Sequence, residues 1–514
     1  MSKYTGRFGH WAAALVLAAA TLAPGQAGAQ TKITDKWITV VMPAEPPNFD
    51  GCESGRAPQG RVVKYNVTET LIEMNPKDGS LTPRLALSWD QTDPNTWRIK
   101  LRKGVTHHDG SPFNAASVKR SLERTLNTKL ICNDRTKFFG GIKVDIEAAD
   151  EETLLIKTAQ PEPTMPPRLA NTSIVGPNTD PDKLTLNAVG TGPYIFDSWQ
   201  AGQQVLLRRN DAYWGAKPAV EGVRFVWRSE SSIAAAMVAV GEADIALNIG
   251  AQDAVDPKLD HAYQNPETTF LRLDNSRAPF DDRRVRLAMN YALDLDAIRG
   301  RLLPKEVMRA TQMVVPSIPG HNHEIDKKPF TYDPAKAKQL LAEAKAAGVP
   351  VDKEITFLAS TYHYPNSVEV AEAFRAMYQA VGLNMKILTL EPGQYMKWSN
   401  KPHPEDRGPT ILQAAHDNMY GDPVFSVYLR YACEGNSSAY CDPAFDKELS
   451  RVSGLSGQER VKGWESLFRN LHEDAVPYVM MFHMVGHVRI SPRLNFVPDV
   501  STYAELRVEK IGFK

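Results

Sequence analysis

The residues with most scope for chemistry lie where the apolar run through Ile411 and Leu412 ends at His416, Asp417 and Asn418 and continues through Tyr420 to Gly421-Asp422-Pro423. A carboxylate at the C-terminal edge of a strand, where open α/β sheets bind ligands, can pair with a ligand's ammonium group. The plainer alternative is that Asp417 caps a loop. His416 beside it invites a metal, but one imidazole makes a poor site without further ligands. Tyr362, Tyr364, Tyr420 and Arg407 are candidates to line a pocket around Asp417, although aromatic residues serve equally well as core.

Two other groups invite a chemical reading and resist it. His107, His108 and Asp109 are adjacent, and neighbouring side chains on an extended strand or turn point in different directions, so they do not converge easily on one ion. Thr191 sits in Gly190-Thr-Gly-Pro193, but a phosphate loop needs a following Lys and Ser/Thr before a helix. Here Pro193 and Tyr194 lead into a strand, so the segment reads as a turn. A serine hydrolase would require a G-x-S-x-G elbow and a zinc peptidase H-E-x-x-H, and neither motif is present. A glycosidase's paired carboxylates carry no such signature and stay as a remote alternative. The absence of these motifs argues against an enzyme, and no cofactor is expected.

The elements that must position these residues alternate between strand and helix, which implies an α/β fold. Glu354 to Ala359 reads as a strand, Val370, Phe374, Met377 and Val381 recur at helical spacing, and Leu383, Met385 and Ile387 alternate as a second strand. Gly382 is placed to end the intervening helix. Asp333 and Pro334 open another helix, with Leu340 and Ala344 on one stripe and Gly348 after its last turn. Asp281 or Asp282 caps a third, with Val285, Met289 and Ala292 inward. Trp97, Ile99 and Leu101 alternate as a half-buried strand, a helix starts near Asn114, and further strands cover Val205 to Leu207 and Val223 to Trp227.

The chain opens with Lys3 and Arg7, an apolar run from Trp11 to Ala23, and Ala27-Gly-Ala29 before Gln30. This pattern predicts a cleaved secretory signal over residues 1–29. Gln30 rather than Cys at the cut argues against a lipid anchor, and no later apolar run approaches the roughly 18 residues of a membrane span. Cleavage would leave 485 residues with a net charge of about −2. That length calls for two or more domains, and the balance gives no footprint for nucleic acid or an anionic membrane. In an oxidising compartment the four cysteines should pair. Cys433 and Cys441 flank a short loop and are expected to bond to each other, leaving Cys52 for Cys132. A zinc site is the runner-up, with spacings that match no C-x2-C pattern.

A family resemblance now becomes specific. Leu81-Thr-Pro-Arg-Leu-Ala-Leu-Ser-Trp89, Leu101-Arg-Lys-Gly-Val105, His108-Asp-Gly-Ser-Pro-Phe113, Gly190-Thr-Gly-Pro-Tyr194, Asn210-Asp-Ala-Tyr-Trp214, Gly241-Glu-Ala-Asp244 and Asp281 to Ile298 occur in this order. The chain resembles the peptide-type (family 5) periplasmic solute-binding proteins of ABC importers, which include oligopeptide, dipeptide and nickel receptors. The resemblance implies a type II, two-lobed periplasmic-binding-protein fold of the large peptide-receptor class, with an accessory domain and a hinged ligand cleft. The implied first lobe combines residues 30–66, 186–280 and 479–514, the accessory domain covers 67–185 and the second lobe covers 281–478. It implies a monomer in the periplasm that hands a peptide or peptide-like solute to a permease and ATPase complex. A sensory partner is compatible with the same fold.

In peptide-binding relatives an aspartate before a segment like Gly421-Asp-Pro423 holds the peptide's amino terminus, and Asp417 matches it, with two extra residues before Gly421. The Cys433 and Cys441 loop also matches the disulfide loop of dipeptide receptors. Two departures argue against a strict dipeptide receptor. Ser360-Thr-Tyr-His-Tyr364 lacks the arginine that would hold a ligand carboxylate, and Ala414 replaces a tryptophan, implying a roomier pocket. A longer peptide, an opine, a sugar-linked compound or, through His416, nickel stay open as cargo.

Overall fold

The computed structural model describes residues 33–514, apart from residues 141, 362 and 365 and the side chain of residue 392. The signal expected over residues 1–29 lies outside the described residues. Eleven strands form one continuous main sheet, numbered here in chain order: β1 (Trp37–Met42), β2 (Tyr194–Gln200), β3 (Gln204–Arg209), β4 (Gly222–Trp227), β5 (Ile245–Leu247), β6 (Asp260–Leu273), β7 (Met308–Arg309), β8 (Ile355–Ser360), β9 (Met385–Leu390), β10 (Thr410–Asp417) and β11 (Tyr478–Ile490). Their order across the sheet is β2-β3-β4-β1-β5-β11-β6-β10-β8-β9, with β7 pairing β11 off this path.

The sheet has two halves that meet only along β6 and β11. In the first, β1 runs parallel to β4 and β5; in the second, β8 runs parallel to β9 and β10. The two long strands are antiparallel and belong to both. Their register holds from Asp260↔Arg489 to Gln264↔Val485, breaks, and resumes at Thr268↔His483. Pro266 explains the break, because proline has no N–H to offer the ladder. Its carbonyl instead accepts from the Asn418 backbone N–H at 2.8 Å and from Asn418 Nδ2 at 2.9 Å.

Side-chain alternation gives each half two buried faces. Val40 and Val41 enter opposite clusters of the first half, the latter beneath the helix Ser231–Ala239. Leu271 and Phe270 do the same in the second. The β-α-β unit forms as β8, the helix Ser367–Ala380 and β9, with Gly382 at φ +100° after the helix. Asp333, Asp282 and Asn114 each cap the expected helix, accepting from Lys336 N, Arg284 N and Ser117 N. Leu271, Leu273 and Phe280, together with Val479, Met481, Phe482 and Met484, lie on the first-lobe side of the sequence boundaries at 280 and 479, yet all pack in the second half's core. Each half therefore takes its own portion of β6 and β11.

A third core cluster runs from Leu71 to Ile174 around an antiparallel sheet ordered Ala86–Asp93, Thr96–Leu101, Thr153–Thr158, Val144–Ala148. Both disulfides form as expected, with Cα–Cα distances of 5.2 Å for Cys52–Cys132 and 4.3 Å for Cys433–Cys441. The first closes the longer loop, 80 residues against 8, so in the chain-entropy account it restricts the unfolded chain more. Among the described residues no helix is long and apolar enough to cross a membrane.

Three of the sequence motifs meet at one carboxylate. Glu69 is fully buried and accepts from Arg84 Nε at 2.7 Å, Thr191 Oγ1 at 2.8 Å, Trp214 Nε1 at 2.8 Å and Tyr213 OH at 2.9 Å. Gly190 and Gly192 lie against residues 66–68, where a Cβ would meet Val67 O at 2.2 Å or Asn66 O at 2.3 Å. The turn at Thr191 is thus a structural joint between the first half and the accessory domain. His107 and His108 also point apart. His107 packs against Phe113, and burial lowers its pKa to about 4; His108 Nε2 reaches Gly192 O at 2.9 Å.

Removing the Glu69 carboxylate leaves a buried arginine and three donors short of a partner. Glu69→Ala is expected to cost about 3–5 kcal/mol of stability, read as a lower denaturant midpoint by circular dichroism; a loss below about 1 kcal/mol would show that Arg84 is satisfied by its other acidic partners.

Candidate functional site

Strand β10 carries the sequence Thr410-Ile-Leu-Gln-Ala-Ala-His-Asp417, and its alternation separates the neighbours that the sequence brought together. His416 faces into the second half, with Nε2 2.9 Å from Ser426 Oγ, and burial drops its pKa to about 3. Ala414 shares that face and is fully buried beside Phe270 and Val427. The extra room expected from losing a tryptophan there does not open onto a ligand space. Asp417 points the other way.

The Asp417 side chain is 33% exposed, and its Oδ1 lies 3.4 Å from the Lys137 ammonium. Lys137 comes from the accessory domain, on the turn Arg135–Phe139, so this ion pair crosses between bodies. Burial works to raise the Asp417 pKa, but the Lys137 charge, the adjacent His416 and the Met419 backbone N–H together outweigh it and hold the carboxyl below its ordinary range. In register, Asp417 pairs with Glu267 of β6. Glu267 accepts from Tyr503 OH at 3.1 Å and Asn265 Nδ2 at 3.3 Å. Burial, reinforced by the negative charge of Asp417, pushes its pKa up to about 7.

The segment after Asp417 is clamped from the accessory side. The Tyr420 ring stacks on Phe425 at 4.6 Å, meets the edge of Phe138 at 5.3 Å and lies 5.2 Å from Lys137 Nζ. Arg168 covers Phe425 at 4.8 Å, and Asn171 Nδ2 donates to Tyr420 O at 3.4 Å. Gly421 has φ +72°, a left-handed conformation that favours glycine, and lies against the Met74 side chain. Asp422 caps the helix Pro423–Tyr431 and is held by Arg460 at 2.7 Å.

Beside this clamp a cavity of about 70 Å3 lies between the three bodies, bordered by Tyr65, Met74, Ile318, Met419, Tyr503 and Glu505, smaller than a typical ligand pocket. Its charged wall is internally matched: Glu505 pairs with Lys64 at 2.7 Å and with Arg507 at 3.2 Å.

The other expected lining residues divide as follows. Asn418 is nearly buried on the wall of this space, and its amide holds the backbone at Pro266 and Met313. Tyr364 is a correction: it is buried in the second half's core, where Gln413 Nε2 donates to its hydroxyl at 2.6 Å. Arg407 is another. Its Nε donates to Asp274 Oδ2 at 2.8 Å in a separate cleft with Arg286 and Lys401. Tyr362 lies outside the described residues. Sequence reading missed Lys137, Glu267, Lys64, Glu505 and Arg507, which carry no local pattern and gain a role only through the partners the fold gives them.

The sequence profile of bacterial extracellular solute-binding proteins, family 5 Middle, matches residues 80–438. The dipeptide-binding protein of Escherichia coli strain K12 is 28% identical over 450 residues, covering 80% of this chain and 83% of that protein. Heme-binding protein A of Haemophilus influenzae is 27% identical over 466 residues, covering 84% of each. Among solved structures, HbpA2 from Haemophilus parasuis superimposes with a TM-score of 0.82 at 20% identity, covering 93% of this chain and 100% of that one.

The raised pKa of Glu267 has a definite sign. The folded protein holds this proton up to about pH 7, whereas the unfolded chain releases it near 4.5, so the Glu267 contribution favours folding at low pH and fades as pH rises through that window. Glu267→Gln is expected to raise the melting midpoint at about pH 7.5 relative to the parent and to change it little near pH 5. Parallel pH profiles for the two proteins would contradict the assignment.

Proposed function

This chain belongs to the bacterial extracellular solute-binding proteins, family 5, the binding components of ABC importers, and we propose that it captures a peptide or peptide-like solute through Asp417. One observation carries this reading: a carboxylate at the end of a sheet strand, in the crevice between bodies, faces an ammonium from the opposing one. In the liganded protein the amino group of a peptide takes the place of Lys137 Nζ at Asp417, a charge-assisted contact stronger than a neutral hydrogen bond. The neighbouring space bordered by Met74, Ile318, Met419 and Tyr503 receives the rest of the ligand, with an apolar lining that tolerates varied side chains.

The division into lobes follows the two core halves, with the crossing in β6 and β11 beside Pro266 rather than at their ends. A ligand that touches both halves stabilises the closed form in proportion to its preference for it, and hinge motion about the two crossings provides closure. The solute is then passed to a membrane permease and its ATPases. Periplasmic residence as a monomer and transport without turnover complete the reading. Relatives named for dipeptides and for heme belong to one family, so cargo is decided by cleft lining rather than by fold. His416 is engaged with Ser426 in the core, which counts against nickel at that position.

A thermal-shift screen of refolded, ligand-stripped protein against di-, tri- and tetrapeptides, opines and sugar phosphates tests the proposal, since a ligand that binds only the folded state raises the midpoint with concentration. A peptide should do so, and Asp417→Ala should weaken its binding by at least about 2 kcal/mol, roughly thirtyfold. Lys137→Met should bind the same peptide at least as tightly as the parent. A midpoint raised only by compounds without an amine, or unaffected by Asp417→Ala, would overturn the peptide reading.

A further inference from the structure

The loop between β7 and β8 brings three metal-ligating side chains together, far from the pair His416 and Asp417 in the chain. His321 Nε2, His323 Nδ1 and an oxygen of Asp326 lie within 4.8 Å of one another. His321 Nε2 is 2.7 Å and His323 Nδ1 3.8 Å from Asp326 Oδ2. Metal–nitrogen and metal–oxygen bonds of about 2.0–2.2 Å place opposite ligands about 4 Å apart, so the spread is slightly too wide for one ion. The His323 side chain is 68% exposed, and its rotation closes the difference.

The surroundings orient these atoms as an outer shell does. His321 is buried, and its Nδ1 lies 2.9 Å from the Val314 carbonyl oxygen. Donation there fixes the tautomer and leaves a lone pair on Nε2. That lone pair faces a carboxylate oxygen, an arrangement a shared cation satisfies. Gln312 Nε2 lies 3.1 Å from His321 Nε2 and 3.3 Å from Asp326 Oδ1, while Thr311 Oγ1 donates to Asp326 Oδ1 at 2.6 Å. The loop itself is pinned: Gln312 Oε1 accepts from Asn322 N, and Gly320, at φ +92°, lies against Trp464 where a Cβ would come within 2.6 Å of it.

His321 and His323 line an open cleft of about 700 Å3 whose other walls include Tyr263 of β6, Asp499, Asp78 and Lys77, with Glu465 on the same side. Three carboxylates against one ammonium favour a cation there. Two imidazoles and one carboxylate select first-row divalent ions of the zinc and nickel kind over calcium or magnesium. We infer that His321, His323 and Asp326 bind one such ion at the outer mouth of the interlobe cleft, independently of the solute held near Asp417.

The test uses tag-free protein stripped with EDTA and dialysed against ZnCl2, with CoCl2 as a spectroscopic probe. One equivalent of zinc should bind saturably, cobalt should develop visible ligand-field absorption, and His323→Ala should weaken zinc by more than about tenfold without changing the metal-free melting curve. His323→Gln supplies a second variant, and His261→Ala, at an exposed histidine elsewhere, should bind as the parent does. Binding of well under one equivalent, or binding that neither His323 variant weakens, would overturn the inference and leave His321 and Asp326 as a proton-sharing pair.

Discussion

The two halves of the main sheet are joined through β6 and β11, and three residues of β6 have no ladder partners on β11. With Pro266 among them, the two antiparallel strands stay continuous as covalent chain but stop being continuous as sheet between Gln264 and Thr268. A β-ladder resists twisting because many hydrogen bonds must distort together; a gap concentrates the distortion where few exist. Two strands also constrain rotation to one axis far better than one would. The halves on either side keep separate cores, so motion at the gap need not disturb either.

The same gap positions the carboxylate proposed to recognise the ligand. Asn418 replaces the missing ladder bonds by holding Pro266 O with both its backbone and its side chain, which fixes the end of β10 against the pivot. Asp417, one residue before, is thereby tied to the strand crossing, while Lys137 reaches it from the accessory domain. In the proposed binding mode the charge that recognises is thus separate from the charge that substitutes for a ligand. Glu267 sits opposite as a carboxyl held close to half-protonation near neutral pH, which limits the repulsion its charge would otherwise impose on Asp417.

How much of this was legible in the sequence depends on the range of the interaction involved. The unit β8–helix–β9 was readable because period and caps are local: Val370 and Phe374 recur at helical spacing, and Gly382 ends the run. Asp417 was readable because it terminates an apolar strand. Which face it takes was also implicit in the strict alternation of β10, yet His416 and Ala414 were grouped with it because adjacency in sequence suggests adjacency in space. Tyr364 was misjudged for a different reason, since its burial is decided by Gln413 on a neighbouring strand. Lys137 and Glu267 could not be found at all, because nothing near them in the chain hints that the fold will bring them to Asp417. The repeated motifs around Arg84, Thr191 and Trp214 were recognised as a signature but carried no hint that they serve one buried carboxylate, Glu69.

The order in which the sheet is threaded has a kinetic side. β8, β9 and β10 lie in one stretch of chain, and the second half's core draws mostly on residues from Leu271 to Met484, so it can assemble soon after that stretch emerges. The first half is drawn from both ends of the chain: β5, which lies beside β1, also pairs with β11, and that pairing joins segments separated by almost half the polypeptide. Contacts of such long separation form slowly. Both cores draw on β11, so an emerging chain will hold β1 to β5 with the β5 edge unpaired until that last segment arrives. The protein is consequently most vulnerable to aggregation and proteolysis before β11 docks, and a factor that shields the open edge of β5 during that interval would improve yield.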